Sequence, residues 1–278
     1  LHIAMLEHVY RRSHEFDLIH FHLDYFPFSL FSRQATPFVT TLHGRLDLPE
    51  LQPVFKTFSS LPLVSISDSQ RRPVPDARWI RTIHHGMPEH LLTPISAEPT
   101  YLAFLGRISP EKRVDRAVAI AARCGLPLKI AAKVDPADRD YFEEQIRPLL
   151  AAKNVEFIGE ISDVEKPAFL SGAIGLIVPI DWPEPFGIVM IEAMACGTPV
   201  IAYRHGAVPE VLDNGVTGFV VADLEDAVTA AGWVASLDRV RVRHVFETRF
   251  TAVRMARDYA AVYQGLLEGR SGASIAAA

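Results

Sequence analysis

Two cysteines, Cys124 and Cys196, are all that 278 residues contain, too few to frame a disulfide-stapled fold. Each lies in an apolar, helix-like stretch, where a thiol packs as a small hydrophobe. A cytoplasmic setting is the expectation. No apolar run reaches 18 residues, so no membrane-spanning helix is predicted, and no secretory signal with a basic start and a small-residue cleavage site is visible. The chain opens at Leu1 in a helix-like pattern (Leu1, Ala4, Met5, His8, Val9), as if inside a larger protein. A net charge of -5 provides no basic face for nucleic acid, and any phosphate site must be local. No basic amphipathic helix marks a membrane surface either, so peripheral membrane contact has no support.

What is present is a composition of 49% hydrophobic and 22% charged residues, which fits a globular α/β protein long enough for two domains. Up to Pro99, short β-rich runs recur at Asp17–His22, Phe38–Leu42, Leu63–Ser67 and Trp79–Ile83, bounded by Pro, Asp or Gly. Residues 87–100, with Pro88, Pro94 and Pro99, read as a linker between a domain over 1–95 and another over 100–250. In the second domain, strand-length apolar runs at Tyr101–Leu105, Leu128–Ala131, Val155–Ile158, Ile174–Val178, Val200–Tyr203 and Phe219–Val221 alternate with helical patterns, including Val114–Arg123, Arg139–Ala152, Lys166–Ser171 and Val189–Ala195. That alternation predicts a doubly wound parallel sheet covered on both faces, with its ligand loops at the carboxyl ends of the strands. A helix over 251–268 is expected to pack back on the first domain, and 269–278 to form a flexible tail.

The chemistry is concentrated after the run Ile174–Val178. There Asp181 to Gly197 builds a helix that is apolar on nearly every side except at Glu192. A carboxylate so placed needs a partner, and a structural ion pair is as good a reading as a functional one. Glu184, eight positions earlier, shifts the balance. It stands just outside a helix start at which Gly187 lets a ligand approach the backbone, and free N–H groups there form an anion site. Two carboxylates beside an anion site suit the hydroxyls and the diphosphate of a nucleotide sugar. Positive charge comes from Gly106-Arg107-Ile108-Ser109-Pro110-Glu111-Lys112-Arg113, where Arg107 and Lys112 can reach a diphosphate while Arg113 reads as a solvated first turn.

These segments, together with Gly197-Thr198-Pro199-Val200, Gly206, Pro209-Glu210 and Gly218, resemble glycosyltransferase family 4, the glycosyl transferases group 1. The resemblance covers almost the whole chain. It implies a GT-B fold, α/β with two Rossmann-like doubly wound domains facing a cleft, and sugar transfer with retention of configuration. It assigns Arg107 and Lys112 to the donor diphosphate, Glu184 and Glu192 to the donor sugar and ribose, and the amides of Phe186, Gly187 and Ile188 to sugar and phosphate. Leu42-His43-Gly44 resembles the family loop whose histidine points at the donor sugar. The catalytic set expected is therefore His43, Glu184, Arg107 and Lys112. The donor contacts expected are Gly44, Arg107, Lys112, Phe186, Gly187, Ile188 and Glu192.

On this reading the enzyme moves a sugar from a nucleoside diphosphate sugar, a UDP-sugar by family frequency, to a hydroxyl of a sugar, lipid or small-molecule acceptor, with no metal and no cofactor. Two departures stand against the pattern. The glycine-rich loop that opens the family's N-terminal domain is absent before Asp17, so that domain reads as incomplete, and a nucleotide-sugar-binding protein without turnover or a nucleotide-sugar epimerase stays open. His84-His85-Gly86 replaces the usual Pro-Asn-Gly, with no catalytic consequence expected. His20 and His22 alternate on one strand and, with His43, lack the ligand spacing of a zinc site; together they read as lining for donor or acceptor, and either alone as a core or tautomer-locked histidine. Asp138-Arg139-Asp140, after Asp135-Pro136, is attributed to helix-start preference.

Overall fold

Short runs of β-branched and aromatic residues between turn formers become the strands of the first unit: β1 (Ile19–Phe21), β2 (Phe38–Thr41), β3 (Leu63–Ser65) and β4 (Trp79–Thr82). They pair in parallel in sequence order. Parallel strands are covered on both faces, which is why β2 and β3 are buried at consecutive positions and lack an in–out alternation. One face packs on Leu6, Phe28, Phe31 and Phe55. On the other, Val39, Val64 and Ile83 meet Val262 of the helix Ala252–Ala276. Full burial of a side chain such as Val39 or Val64 contributes about 2 kcal/mol.

The computed structural model describes residues 1–268 in full and the backbone of 269–276. The tail expected at 269–278 lies outside the fully described residues. The chain divides into two units, residues 1–85 with the chain from Val253 onward, and residues 86–252.

The second unit holds β5 (Tyr101–Arg107), β6 (Leu128–Lys133), β7 (Val155–Gly159), β8 (Ala173–Val178), β9 (Val200–Tyr203) and β10 (Gly218–Val221). Its sheet is parallel throughout, with order β10-β9-β8-β5-β6-β7. Helices Val114–Cys124 and Leu224–Trp233 supply buried residues to one core with β5, β6 and β9. Among the described residues no helix is long and apolar enough to cross a membrane.

Two expectations change. Residues 86–100 belong to the second unit and do not form a free linker. Met87 donates to Phe250 O at 2.9 Å and accepts from Ala252 N at 2.7 Å, and Arg243 donates to the carbonyls of Glu89 and Leu92 at 2.8 and 2.9 Å. Prolines remove N–H donors there, but the carbonyls are held by one guanidinium. The boundary therefore falls at 85/86, ahead of the 95–100 read from the prolines. The stretch 139–152 is helical in pieces: an α turn at Arg139–Tyr141, a π segment at Phe142–Ile146 and a 3-10 turn at Arg147–Ala151. Pro148 has no N–H to donate, and its ring crowds the carbonyl four residues back, so a regular ladder cannot continue through it.

Candidate active site

The strand order of the second unit reverses direction between β5 and β8. From β5 the chain adds β6 and β7 on one side, then returns to add β8, β9 and β10 on the other. Loops leave the carboxyl ends of β5 and β8 at that point, the place where open α/β sheets bind ligands, and they touch, Asp181 N donating to Glu111 O at 2.9 Å. Arg107 ends β5, Lys112 lies on the loop after it, and the β8 loop carries Glu184. Lys112 Nζ forms an ion pair with Glu184 Oε2, and Trp182 Nε1 donates to the same oxygen at 3.0 Å. The Lys112 ammonium also lies 5.2 Å from the centroid of the Trp182 ring, within cation–π range. The Lys112 and Glu184 side chains are 22% and 13% exposed, so the pair is sheltered without being sealed. Arg107 is half exposed and only loosely paired, 3.4 Å from Asp135 and 3.7 Å from Glu111.

Glu184 is fixed by its backbone as well. Its carbonyl accepts from Ala207 N at 2.9 Å. At Gly206, with φ +56°, any Cβ would overlap the backbone of Pro183 and Glu184. The loop after β9 thus lies directly against the Glu184 loop. Gly187 caps the helix Ile188–Ala195 in a left-handed conformation, φ +81°, and a Cβ there would come within 2.7 Å of Met190 Cε. Phe186 is buried near Phe250, whereas Ile188 is exposed. The helix therefore presents its N-terminus, with N–H groups that have no preceding turn to bond, beside the same loops.

Glu192 has the partner its surroundings demand. Lys166 Nζ lies 2.8 Å from Glu192 Oε1 and 2.8 Å from Asp163 Oδ1. Burial raises the Glu192 carboxyl above the usual range, and the Lys166 ammonium opposes that shift. The structural pairing weighed from the sequence is thus realised, through a lysine 26 positions away.

Two minor assignments are corrected. Arg113 is no solvated first turn: in a left-handed conformation, φ 53°, it forks to Asp115 and reaches Asp181 at 2.8 Å. Asp135 and Asp138 make no side-chain cap, although Asp138 and Asp140 do lie in first turns as the helix dipole favours. Asp135 instead meets Arg107 and Lys133, at 3.4 and 3.1 Å.

In the first unit, His43 and Gly44 follow β2. Buried Gln70 pins that loop, donating to Leu42 O at 3.0 Å and Gly44 O at 2.8 Å while its carbonyl oxygen accepts from Ile66 N at 2.9 Å. His22 Nδ1 is 2.8 Å from His43 Nε2. The His85 ring lies parallel to His43, 3° off, with centroids 5.3 Å apart, so the departure at His84-His85 joins the histidine cluster. His20 bonds Tyr263 and Thr41 hydroxyls, both at 2.8 Å. Burial pushes His20 and His85 down to about 4. It lowers His22 and His43 too, although both keep an accessible edge, because neighbouring groups cover the rest of each ring. Gln70, Lys166 and Trp182 were not singled out from the sequence, and His85 was noted only as a departure from the family pattern, without its place beside His43. Only Trp182, two residues before Glu184, had a positional signal.

A family described as glycosyl transferases group 1 matches residues 93–237. Glycogen synthase from Mycobacterium tuberculosis is 30% identical over 184 residues, which is 60% of this chain and 44% of that protein. D-inositol 3-phosphate glycosyltransferase from Rhodococcus erythropolis is 34% identical over 179 residues, 57% of this chain and 40% of that protein. The match thus spans less than half the length of these relatives. Among solved structures, the Anabaena protein HepE in complex with UDP and glucose aligns with a TM-score of 0.78 at 21% identity, covering 94% of this chain and 82% of that one. Sucrose-phosphate synthase from Thermosynechococcus elongatus gives 0.79 at 23%, covering 95% and 78%. With two parallel sheets, these likenesses make the fold GT-B.

Proposed function

The chain belongs to the glycosyl transferases group 1 family, and from that premise we propose that it transfers a sugar, with retention, from a nucleoside diphosphate sugar to an acceptor hydroxyl. The observation that carries this reading is the Lys112–Glu184 pair between the β5 and β8 loops, beside the N-terminus of the helix Ile188–Ala195. In the free protein the two charges satisfy one another. A donor offers each a better partner, the diphosphate for Lys112 and the sugar hydroxyls for Glu184.

Departure of the diphosphate places negative charge where Arg107, Lys112 and the helix N-terminus supply fixed positive charge, which stabilises a leaving group without a metal or cofactor. We assign the amides of Phe186, Gly187 and Ile188 to phosphate and sugar, and Glu192, paired with Lys166, to the ribose. In the first unit, His43, on the loop shared with Gly44, is assigned to the donor sugar, where a neutral imidazole accompanies the positive character that develops on the ring. A UDP-sugar is the preferred donor. HepE structures holding UDP and UDP-glucose support that choice. The acceptor is a sugar, lipid or small-molecule hydroxyl, and the free thiols Cys124 and Cys196 suit a reducing cytoplasm.

The test is incubation of the chain with UDP-glucose, ADP-glucose and GDP-mannose, with and without an acceptor panel, scoring nucleotide release. Acceptor-dependent release is expected. Binding without release would make the chain a donor-binding protein, conversion without acceptor would make it an epimerase or hydrolase, and no binding of any donor would overturn the reading.

A further inference from the structure

The loop bearing His43 is held by its backbone through Gln70, yet backbone bonds do not set the rotation or the tautomer of a ring. A second histidine bears on both. His22 Nδ1 and His43 Nε2 are 2.8 Å apart, the ring centroids are separated by 5.1 Å, and the planes lie within 25° of each other. That is the arrangement of two imidazoles joined edge to edge by an N–H···N bond. Two neutral rings in this contact hold one proton between them, on Nδ1 of His22 or on Nε2 of His43, with the facing nitrogen accepting. His22 is itself braced. Its ring lies 4.1 Å, centroid to centroid, from His20, and His20 is locked at both nitrogens by the hydroxyls of Tyr263 and Thr41.

We propose that His22 is a positioning residue for His43, fixing its ring plane and coupling its tautomer to that of His22 through the Nδ1···Nε2 bond, and leaving Nδ1 as the nitrogen that His43 turns to a ligand. This rests on the assignment of His43 to the donor sugar. Because Nε2 is engaged by His22, the proton state of His43 Nδ1 is coupled to a neighbouring strand end. The substitution His22→Asn places a side-chain amide where the imidazole Nδ1 stood, whereas His22→Leu offers His43 no polar group at all.

Long-range 1H–15N spectra of histidine-labelled full chain at pH 7.5 read the tautomers directly, without any ligand. Wild-type His43 is expected in one tautomer, His22→Leu in a mixture, and His22→Asn again in one. With UDP-glucose as probe, His22→Leu should lower kcat about tenfold with KM within about threefold, and His22→Asn should recover most of the loss. An unchanged His43 tautomer in His22→Leu overturns the proposal, as does an unchanged kcat in that variant. Should His22→Leu not fold, His43→Ala reads the pair from the other side. His22 must then lose its single tautomer, and retention of it overturns the proposal. If the wild-type chain turns over no nucleotide sugar, the functional assignment fails while the spectra still decide His22.

Discussion

Lys166 Nζ stands 2.8 Å from Glu192 Oε1, and so the one carboxylate on an otherwise apolar helix is paired and 11% exposed. Removing a single partner from such a pair leaves an uncompensated charge. Lys166→Met is expected to cost about 3 kcal/mol, and Lys166→Met with Glu192→Gln much less. A double-mutant cycle on urea midpoints measures the difference. Glu192→Gln alone should weaken UDP binding more than it changes stability. The reverse order would return Glu192 to a structural role only.

Arg107→Ala and Lys112→Ala should each lower transfer about 100-fold or more, as loss of a group that stabilises developing charge does, with the circular dichroism spectrum unchanged. Release of nucleotide from UDP-glucose is the measurement. Unchanged rates in both would remove the β5 loop from the mechanism.

Trp182→Phe keeps the ring beside Lys112 but deletes the N–H that donates to Glu184. Affinity for UDP-glucose should fall about tenfold to a hundredfold, the worth of one hydrogen bond to a charged group. Affinity for UDP, which lacks the transferred sugar proposed to meet Glu184, should be unaltered. Calorimetric titration with both ligands tests that contrast.

The organisation of the second unit was readable because parallel strands are buried on both sides and so appear as continuous apolar runs. Lys112 and Glu184 were readable because charged residues in the loops after two such strands have a defined place at the reversal of strand order. Pairings between distant side chains were not. Nothing local to Glu192 names Lys166, and nothing in His84-His85 shows a ring destined to lie parallel to His43. Pro148 carries a legible warning against a continuous helix over 139–152, whereas the prolines of residues 87–100 describe the backbone and are silent about which arginine holds the carbonyls.

Gln70 leads to a stability prediction. Gln70→Ala leaves Leu42 O, Gly44 O and Ile66 N without their side-chain partner, at a cost of about 1–3 kcal/mol for each buried group left unsatisfied. The thermal midpoint should fall, and hydrogen exchange should rise first around His43. Uniform exchange across the unit would show that the loop is held by other means.

His20 and His85 predict a pH dependence. Both are depressed to about 4 from an ordinary value of 6.5. Between those values the unfolded chain binds protons that the folded chain does not, so stability is full above about 6.5 and declines as pH falls toward about 4. Thermal midpoints from pH 7.5 to 5 should therefore drop, and His85→Asn should flatten the decline in a range where carboxylates take up few protons. A slope identical to wild type would remove His85 as its source.

Lys112 and Glu184 are 72 positions apart in the chain, with four strands of the sheet, β5 to β8, begun before the second of them is reached. Their contact is a non-local one, and such contacts form only after the intervening loop has been closed against its entropy. A fragment ending before Glu184 has half of the pair and no counter-charge for Lys112. On the proposed reading the donor site is complete only when β5 and β8 have met, and donor binding would report that they have.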